Sequence, residues 1–282
     1  MIKRFAFALC LFCFVGGAAF GWQWDVQAPK ADQKGNFDRW QINKRLSGSF
    51  GVWQSELYGD LNVEGLKIDL EDNGNFDDRS VPNLHFGYTL SRRSRLTLDY
   101  AIVRHQGTIT KAVTFDNKNY NAGAILTLRH VWFDLCGARM LKVFGDPAKV
   151  KVDPSHVEFL YGVKFDNAHL SVSGRDATNA AIGGSWGELL PIPYIGLAGR
   201  ARFTDTFGLH GSFKYISATV GDNSARSYDY TLDLQWRLNP LTTSEQWFLT
   251  AGYRGFMVDG ESETNSIKVG YTGPVFGFVG RF

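Results

Sequence analysis

Three short sequence patterns contain residue types that could carry out catalysis or bind a metal ion. The first, Gly183-Gly184-Ser185-Trp186-Gly187, matches the G-x-S-x-G pattern in which hydrolases hold a nucleophilic serine on a sharp strand-to-helix turn. A hydrolase of this kind also needs an acid and then a histidine later in the chain, and the only later histidine is His210. The density of glycine instead predicts a flexible loop without a catalytic role.

His210-Gly211-Ser212 is the second pattern. Residues two apart on a strand point to the same side, so this histidine and serine could act as a general base and a nucleophile. Asp222 or Asp229 would have to supply the acid that orients the histidine. The arrangement resembles the His-x-Ser of the outer-membrane lipid A 3-O-deacylases, and the resemblance implies a hydrolase working at the lipid-facing surface. The strand pattern points both side chains inward, which favours a polar pair inside the protein.

The third pattern, residues 69–74, has acidic or amide side chains at alternate positions and a glycine at the sixth, like the start of a calcium loop. Its candidate ligands are Asp69, Glu71 and Asn73. A calcium loop also needs a glutamate at its twelfth position, where this chain has Ser80, so a solvated acidic loop is the favoured interpretation. The histidines show no zinc spacing, and the sequence predicts no metal ion and no cofactor.

The segments that carry these patterns alternate between apolar and polar residues, which indicates β-strands with one apolar face. In the clearest segment, 228–238, the even positions are all large and apolar and the odd positions are polar. Aromatic residues stand near both ends of the apolar face, as in strands that cross a lipid bilayer. The other segments are 46–58, 84–90, 96–102, 120–132, 157–165, 195–203, 209–215, 247–254 and 267–282.

Two of these segments contain irregularities. Gly273-Pro274 predicts a bulge that moves the apolar face from Ile267, Val269 and Tyr271 to the even positions that follow. In segment 120–132, Ala124, Leu126, Leu128 and Trp132 form the apolar face, with His130 as an exception.

Ten strands predict an all-β fold, a transmembrane antiparallel up-and-down β-barrel, although eight or twelve strands remain possible. An even number places both ends of the chain in the periplasm. The expected inner connections are then 91–94, 133–155, 204–206 and 239–246, and the expected outer loops are 65–81, 106–119, 174–190, 221–227 and 258–265. The long stretch 133–155 is either a periplasmic excursion or a hidden pair of strands.

The inward faces of the predicted strands carry charges of both signs. These lumen-lining candidates are Asp99, Glu158, Lys164, Arg200, Arg202, Lys214, Asp229, Asp233, Arg237 and Arg254. In a wide barrel they would line a selective pore, and in a narrow one they would pair and fill the lumen. A ten-stranded barrel lies just above the size that side chains fill, so we expect a mostly filled or very narrow lumen.

The two ends of the sequence indicate export and barrel assembly. A basic start, an uncharged apolar run over 5–20 and small residues near Gly21 predict a signal peptide over 1–21. Phe276, Phe278 and Phe282 fall at even spacing at the other end. This ending resembles the signature that the barrel-assembly machinery reads in bacterial outer-membrane β-barrels. The expected organisation is a signal peptide, a periplasmic segment over 22–44 and a barrel domain over 45–282.

Composition limits the partners. Removing Lys3 and Arg4 from the 30 basic residues leaves 28, which balance the 28 acidic residues, so a nucleic-acid partner is not expected. Only Cys136 remains after signal-peptide cleavage, which excludes an intramolecular disulfide.

Taken together, the sequence resembles the small, monomeric outer-membrane β-barrel proteins of bacteria. The resemblance implies a location in the outer membrane, with outer-membrane lipid, lipopolysaccharide and the barrel-assembly machinery as partners. We expect a passive role without enzymatic activity, as a narrow channel for small solutes or an envelope-structural protein. The alternatives are a lipid-modifying hydrolase and a surface receptor or adhesion barrel acting through its outer loops.

Overall fold

The computed structural model describes residues 46–91, 93–144, 155–220, 223–240, 245–261 and 265–282. The predicted signal peptide and periplasmic segment lie outside these residues. The described part is all-β, with strands β1 (Leu46–Val63), β2 (Leu66–Asp69), β3 (Arg79–Ser91), β4 (Ser94–Thr108), β5 (Val113–Phe115), β6 (Lys118–Tyr120), β7 (Ile125–Phe144), β8 (Ser155–Arg175), β9 (Ala181–Arg202), β10 (Phe207–Val220), β11 (Asn223–Arg237), β12 (Gln246–Glu261) and β13 (Ser266–Arg281). Among the described residues, no helix is long and apolar enough to cross a membrane.

Ten long antiparallel strands form one closed barrel, which confirms the predicted fold class and strand number. Each long strand pairs with the next one along the chain, and β13 pairs with β1. Two backbone hydrogen bonds extend this closure, from the Phe282 amide to the Leu46 carbonyl (2.9 Å) and from the Leu46 amide to the Phe282 carbonyl (3.3 Å). The barrel therefore has no free sheet edge among its ten strands.

The outward face of the barrel is apolar over much of its height. Large side chains with about half of their surface exposed point away from the lumen on every side, including Phe50 (53%), Phe86 (57%), Leu232 (53%), Trp236 (61%) and Phe276 (59%). An outward apolar belt with aromatic side chains is what a barrel presents to lipid. We call the end that carries Leu46 and Phe282 the inner end and the opposite one the outer end.

Several predicted loops are wrong because the strands are longer than their patterns indicated. The predicted outer loops 221–227 and 258–265 overlap β11, which begins at Asn223, and β12, which ends at Glu261. Residues 133–144 continue β7 and pair with β4 and β8, so the connection between β7 and β8 covers only 145–154, outside the described residues. At the outer end, the predicted loop 174–190 is a short turn, because β9 begins at Ala181. In that turn, hydrogen bonds from the Thr178 hydroxyl and the Ala180 and Thr178 amides hold the pKa of Asp176 below its usual range.

The predicted bulge at Gly273-Pro274 is also wrong. The register between β12 and β13 continues through Arg254 opposite Gly273 and Tyr253 opposite Pro274, although pairing with β1 is interrupted there. The apolar positions before the glycine face the lumen, where Tyr271 is fully buried. The apparent change of face arises because the outer half of the lumen is itself apolar.

The same cause explains the apolar face assigned to segment 120–132. Leu126 (0% exposed), Leu128 (4%) and Trp132 (2%) point into the lumen, as does His130, so His130 is no exception to the alternation. The lipid-facing side of β7 consists instead of residues such as Val131 and Phe133.

Candidate functional site in the lumen

The lumen consists of a charged half towards the inner end and an apolar half towards the outer end. The charged half contains a cavity of about 210 Å³, which we call the chamber. Its acidic, basic and histidine lining residues are His85, Arg95, Asp99, Asp134, Lys164, Arg200, His210, Lys214, Asp229, Asp233, Arg254 and Arg281. A space of this volume has room for about seven water molecules.

Lys214 on β10 is the centre of one charge network in the chamber. Its Nζ lies 2.6 Å from Asp134 Oδ2 on β7 and 3.9 Å from Asp99 Oδ2 on β4. The Tyr194 hydroxyl donates to Asp134 Oδ1 at 2.5 Å, and His85 Nδ1 lies 2.7 Å from Asp99 Oδ1. The side chain of Asp134 is only 2% exposed, so these partners replace the water that its charge has lost.

A second network lies at the boundary with the apolar half. Lys164 and Arg254 share the carboxylate of Asp229, at 2.5 Å and 3.1 Å. Aromatic rings face the two cations: Lys164 Nζ lies 4.0 Å from the Phe256 ring centre, and the Arg254 guanidinium lies 5.3 Å from that of Trp53. One carboxylate cannot neutralise two cations, and cation–π contacts of this kind partly compensate the excess positive charge.

The structure places all ten predicted lumen residues on the inner face of the barrel, but only some of them around the chamber. Those that line it are Asp99, Lys164, Arg200, Lys214, Asp229, Asp233 and Arg254. The other three are Glu158, Arg202 and Arg237. Arg95 Nη2 lies 2.6 Å from the Glu158 carboxylate, the Arg202 guanidinium stacks on Phe248, and Arg237 donates to the Asn239 and Pro240 carbonyls.

Sequence reasoning missed several chamber residues. Asp134 fell in a segment predicted to be a loop, so its inward position could not be assigned. Tyr194, which donates to Asp134, follows Pro191 and Pro193, and the two prolines weaken a strand prediction there. Arg95 alternates in phase with Asp99 and could have been found from that spacing.

The outer half of the lumen is filled by apolar side chains, which we call the plug. At its base, the Trp132 ring lies 4.5 Å from Phe256, 5.7 Å from Tyr271 and 6.0 Å from Trp53, measured between ring centres. Above this layer lie buried aliphatic residues of the barrel wall: Leu57, Leu61, Val103, Leu126, Leu128, Leu170 and Val172. The chain outside the barrel wall adds Leu66, Ile68, Leu70, Ile109, Val113, Phe115 and Tyr120 as a cap.

Two histidines lie inside the plug with hydrogen-bonding partners. His130 Nδ1 is 2.8 Å from the Asp166 carboxylate. His105 Nδ1 is 3.1 Å from the Asp77 carbonyl, and its Nε2 is 3.3 Å from Ser55 Oγ. Both rings also contact Tyr271, with ring centres 5.4 and 5.6 Å apart. These contacts hold both histidines in place among the apolar side chains of the plug.

His210 and Ser212 both face the chamber, on the opposite side of the wall from lipid. This placement does not fit the lipid-facing arrangement implied by the deacylase resemblance. Of the two acids suggested for His210, Asp222 lies outside the described residues and Asp229 is held by Lys164 and Arg254. The nearest carboxylate partner is instead Asp233, whose Oδ2 lies 3.7 Å from His210 Nδ1.

The G-x-S-x-G segment lies within strand β9, which corrects the prediction of a loop and removes the turn that a nucleophile elbow requires. The hairpin of β5 and β6 packs over its glycines. A Cβ atom at Gly184 would lie 3.0 Å from the Tyr120 hydroxyl and 3.2 Å from Phe115. Lys118 Nζ donates to the Gly183 carbonyl at 2.8 Å. The glycines therefore make room for the cap.

The candidate metal ligands form a turn. Asp69 Oδ1 accepts hydrogen bonds from the Glu71 and Asp72 amides, each at 2.9 Å. The Asn73 amide donates to the Asp69 carbonyl at 3.0 Å. No cluster of three or more histidine, cysteine or acidic side chains suited to a metal ion occurs among the described residues.

Comparison with known proteins supports the fold and gives no family. No protein-family model and no curated protein matches the chain. The outer membrane protease OmpT from Escherichia coli is similar in structure, with a TM-score of 0.51 and 10% identity over 86% of this chain and 98% of that one. The translocator domain of the autotransporter NalP from Neisseria meningitidis gives a TM-score of 0.45 and 11% identity over 89% and 96% of the two chains. The chain thus has the fold of bacterial outer-membrane β-barrels.

Proposed function

We propose that this chain is a passive protein of the bacterial outer membrane, a closed barrel that does not conduct solutes. The apolar plug carries the proposal. Water and ions need polar partners along their path, whereas apolar constrictions exclude them by dewetting. Of the two passive roles expected from the sequence, the plug favours an envelope-structural protein over a narrow channel.

The outward face supports the membrane location. A closed barrel pairs its strands with one another around the whole circumference, so that backbone groups are satisfied internally as lipid requires. Its outward apolar side chains would be an aggregation hazard in water, because so many of them are about half exposed.

The pairing of the chamber charges supports a structural role for them. Lys214, Lys164 and Arg254 each contact a carboxylate within 3.1 Å, so their charges are already compensated inside the protein. A selective pore instead presents its charges to the passing ion.

Current recording across a planar bilayer tests the proposal. The barrel is folded into lipid, its native state is established by circular dichroism and heat-modifiable gel mobility, and current is followed at both polarities. We expect no discrete openings, and gramicidin added at the end shows that the same bilayer can report a channel. Reproducible unitary currents from the folded protein would refute a closed lumen.

A further inference from the structure

On the side formed by β11, β12, β13 and β1, the outward-facing Arg226, Asp259 and Lys268 near the outer end have opposite charges beside them. Arg226 Nη2 lies 2.7 Å from Asp259 Oδ2. Lys268 stands directly opposite Asp259 on one neighbouring strand and Asp60 on the other. This side of the barrel is therefore balanced without any external partner.

The side formed by β4, β7 and β8 is different. Arg104 on β4 stands directly opposite Arg129 on β7, and Arg129 stands directly opposite His169 on β8. All three are exposed on the outward face. Directly opposite residues have Cβ atoms about 5 Å apart, where like charges are destabilising. Within the described ranges, no carboxylate forms an ion pair with either arginine.

We call Arg104, Arg129 and His169 the basic row, and its height coincides with the membrane surface. Arg129 and Arg139 lie on the same outward face of β7, with Leu135, Phe133 and Val131 between them. At the usual rise and tilt of a barrel strand, the two arginines are separated by about 25 Å along the barrel axis, the height of an apolar belt. Arg139 lies towards the inner end, so the basic row lies at the outer interface.

The residues around the basic row form a layered surface. On its membrane side, Tyr100, Phe133 and Phe165 are neighbours across three strands. Between them and the row stand the apolar Ile102 and Val131 on β4 and β7, and the polar Asn167 on β8. On its solvent side, the next outward positions on the same three strands are Gln106, Thr127 and Ser171. The surface thus passes from apolar to cationic to neutral polar within a few residues.

We infer that the basic row binds the phosphate group of a phosphorylated glycolipid in the outer leaflet. Its acyl chains would lie on the apolar and aromatic positions, its phosphate between the two guanidinium groups, and its sugars against the polar positions above. Two arginines facing one phosphate give the charge-assisted, bidentate geometry that such a group prefers. The inference rests on the membrane location proposed above and is independent of whether the lumen conducts.

Binding of a bis-phosphorylated lipid A to the purified barrel in detergent micelles tests the inference. Native mass spectrometry compares the wild type with Arg104→Gln/Arg129→Gln and with the control Arg226→Gln, which removes an outward arginine from the balanced side. We expect the double variant to bind at least about a hundredfold more weakly, because each lost charged contact costs about tenfold. The control should bind like the wild type, and removing the lipid phosphates should weaken binding as much as the double substitution does.

Two further experiments distinguish a loss of binding from a loss of folding, and a lipid phosphate from a soluble anion. Arg104→Glu places an acid opposite Arg129, which should preserve or raise the stability of the barrel while abolishing lipid binding. Unchanged lipid affinity in the folded Arg104→Glu or double variant overturns the inference. Displacement of the lipid by an equal concentration of inorganic pyrophosphate also overturns it, since the row would then be a site for soluble anions.

Discussion

Removing the positive charge of Lys214 should destabilise the barrel more than any exposed substitution. The Lys214 side chain is 12% exposed and that of Asp134 is 2% exposed, and their charged atoms are 2.6 Å apart. Lys214→Met would leave the Asp134 carboxylate buried with the Tyr194 hydroxyl as its hydrogen-bond donor, whereas Asp99 keeps His85. Breaking a buried ion pair by removing one partner costs about 3–5 kcal/mol.

Urea unfolding of the barrel in lipid vesicles, followed by tryptophan fluorescence, measures this loss. The double variant Asp134→Asn/Lys214→Met removes both charges and keeps an acceptor for Tyr194, so it should recover most of the stability that Lys214→Met loses. Lys67→Met on the exposed side of β2 serves as the matched control, with an expected change within about 0.5 kcal/mol. A loss below about 1 kcal/mol for Lys214→Met, or no recovery in the double variant, would show that the chamber charges are solvated independently.

Three further predictions concern close packing and access. Gly184→Val should cost about 1–3 kcal/mol and expose the β5–β6 hairpin to trypsin, because the added atoms meet the hairpin side chains. Gly183→Val, whose Cβ would have no neighbour closer than 3.7 Å, should leave digestion unchanged. Gly273→Ala should lower the free energy of unfolding by about 2 kcal/mol or more, because φ is +152° there and a Cβ would collide with the β1 backbone. Gly260→Ala should be tolerated, and unfolding titrations of both variants would show the difference. Cys136 is 2% exposed, so its thiol should react with a chromogenic disulfide reagent only after unfolding, and rapid reaction of the folded barrel would contradict the packing around the chamber.

The sequence predicts the barrel well because every strand that crosses a lipid bilayer follows the same simple pattern, in which one face is apolar along its length. That pattern identified all ten strands, including 228–238, where the inward face is polar along its length. It could not show which face of residues 267–271 or 124–132 meets lipid, because both faces are partly apolar where the plug fills the lumen. Alternation of apolar and polar residues shows that a strand has two different faces, but it does not show whether the lumen behind the strand is filled by apolar or polar side chains.

The site was less predictable than the fold, because it depends on pairs distant in the sequence. Alternation alone identified Lys214 and Asp229 as inward-facing. It could not match Lys214 with Asp134, or Lys164 with Asp229, because cross-barrel neighbours are fixed by strand register and tilt. The cap was likewise not predicted. The β5–β6 hairpin packs on the glycines of 183–187, and this contact between distant segments leaves no pattern in the local sequence.

The pairing of β13 with β1 has a consequence for the rate of folding. The hydrogen bonds between Leu46 and Phe282 join the first and last residues of the barrel, so they have the widest sequence separation of any contact in it. For a flexible chain of this length, loop closure carries an entropic cost of about 5 kcal/mol, which the intervening hairpins reduce by forming first. Contacts of such wide sequence separation slow folding, so closure of this seam is the expected late step. Before that closure β1 and β13 would present two unpaired edges, so we expect an open barrel to be more prone to aggregation than the closed one.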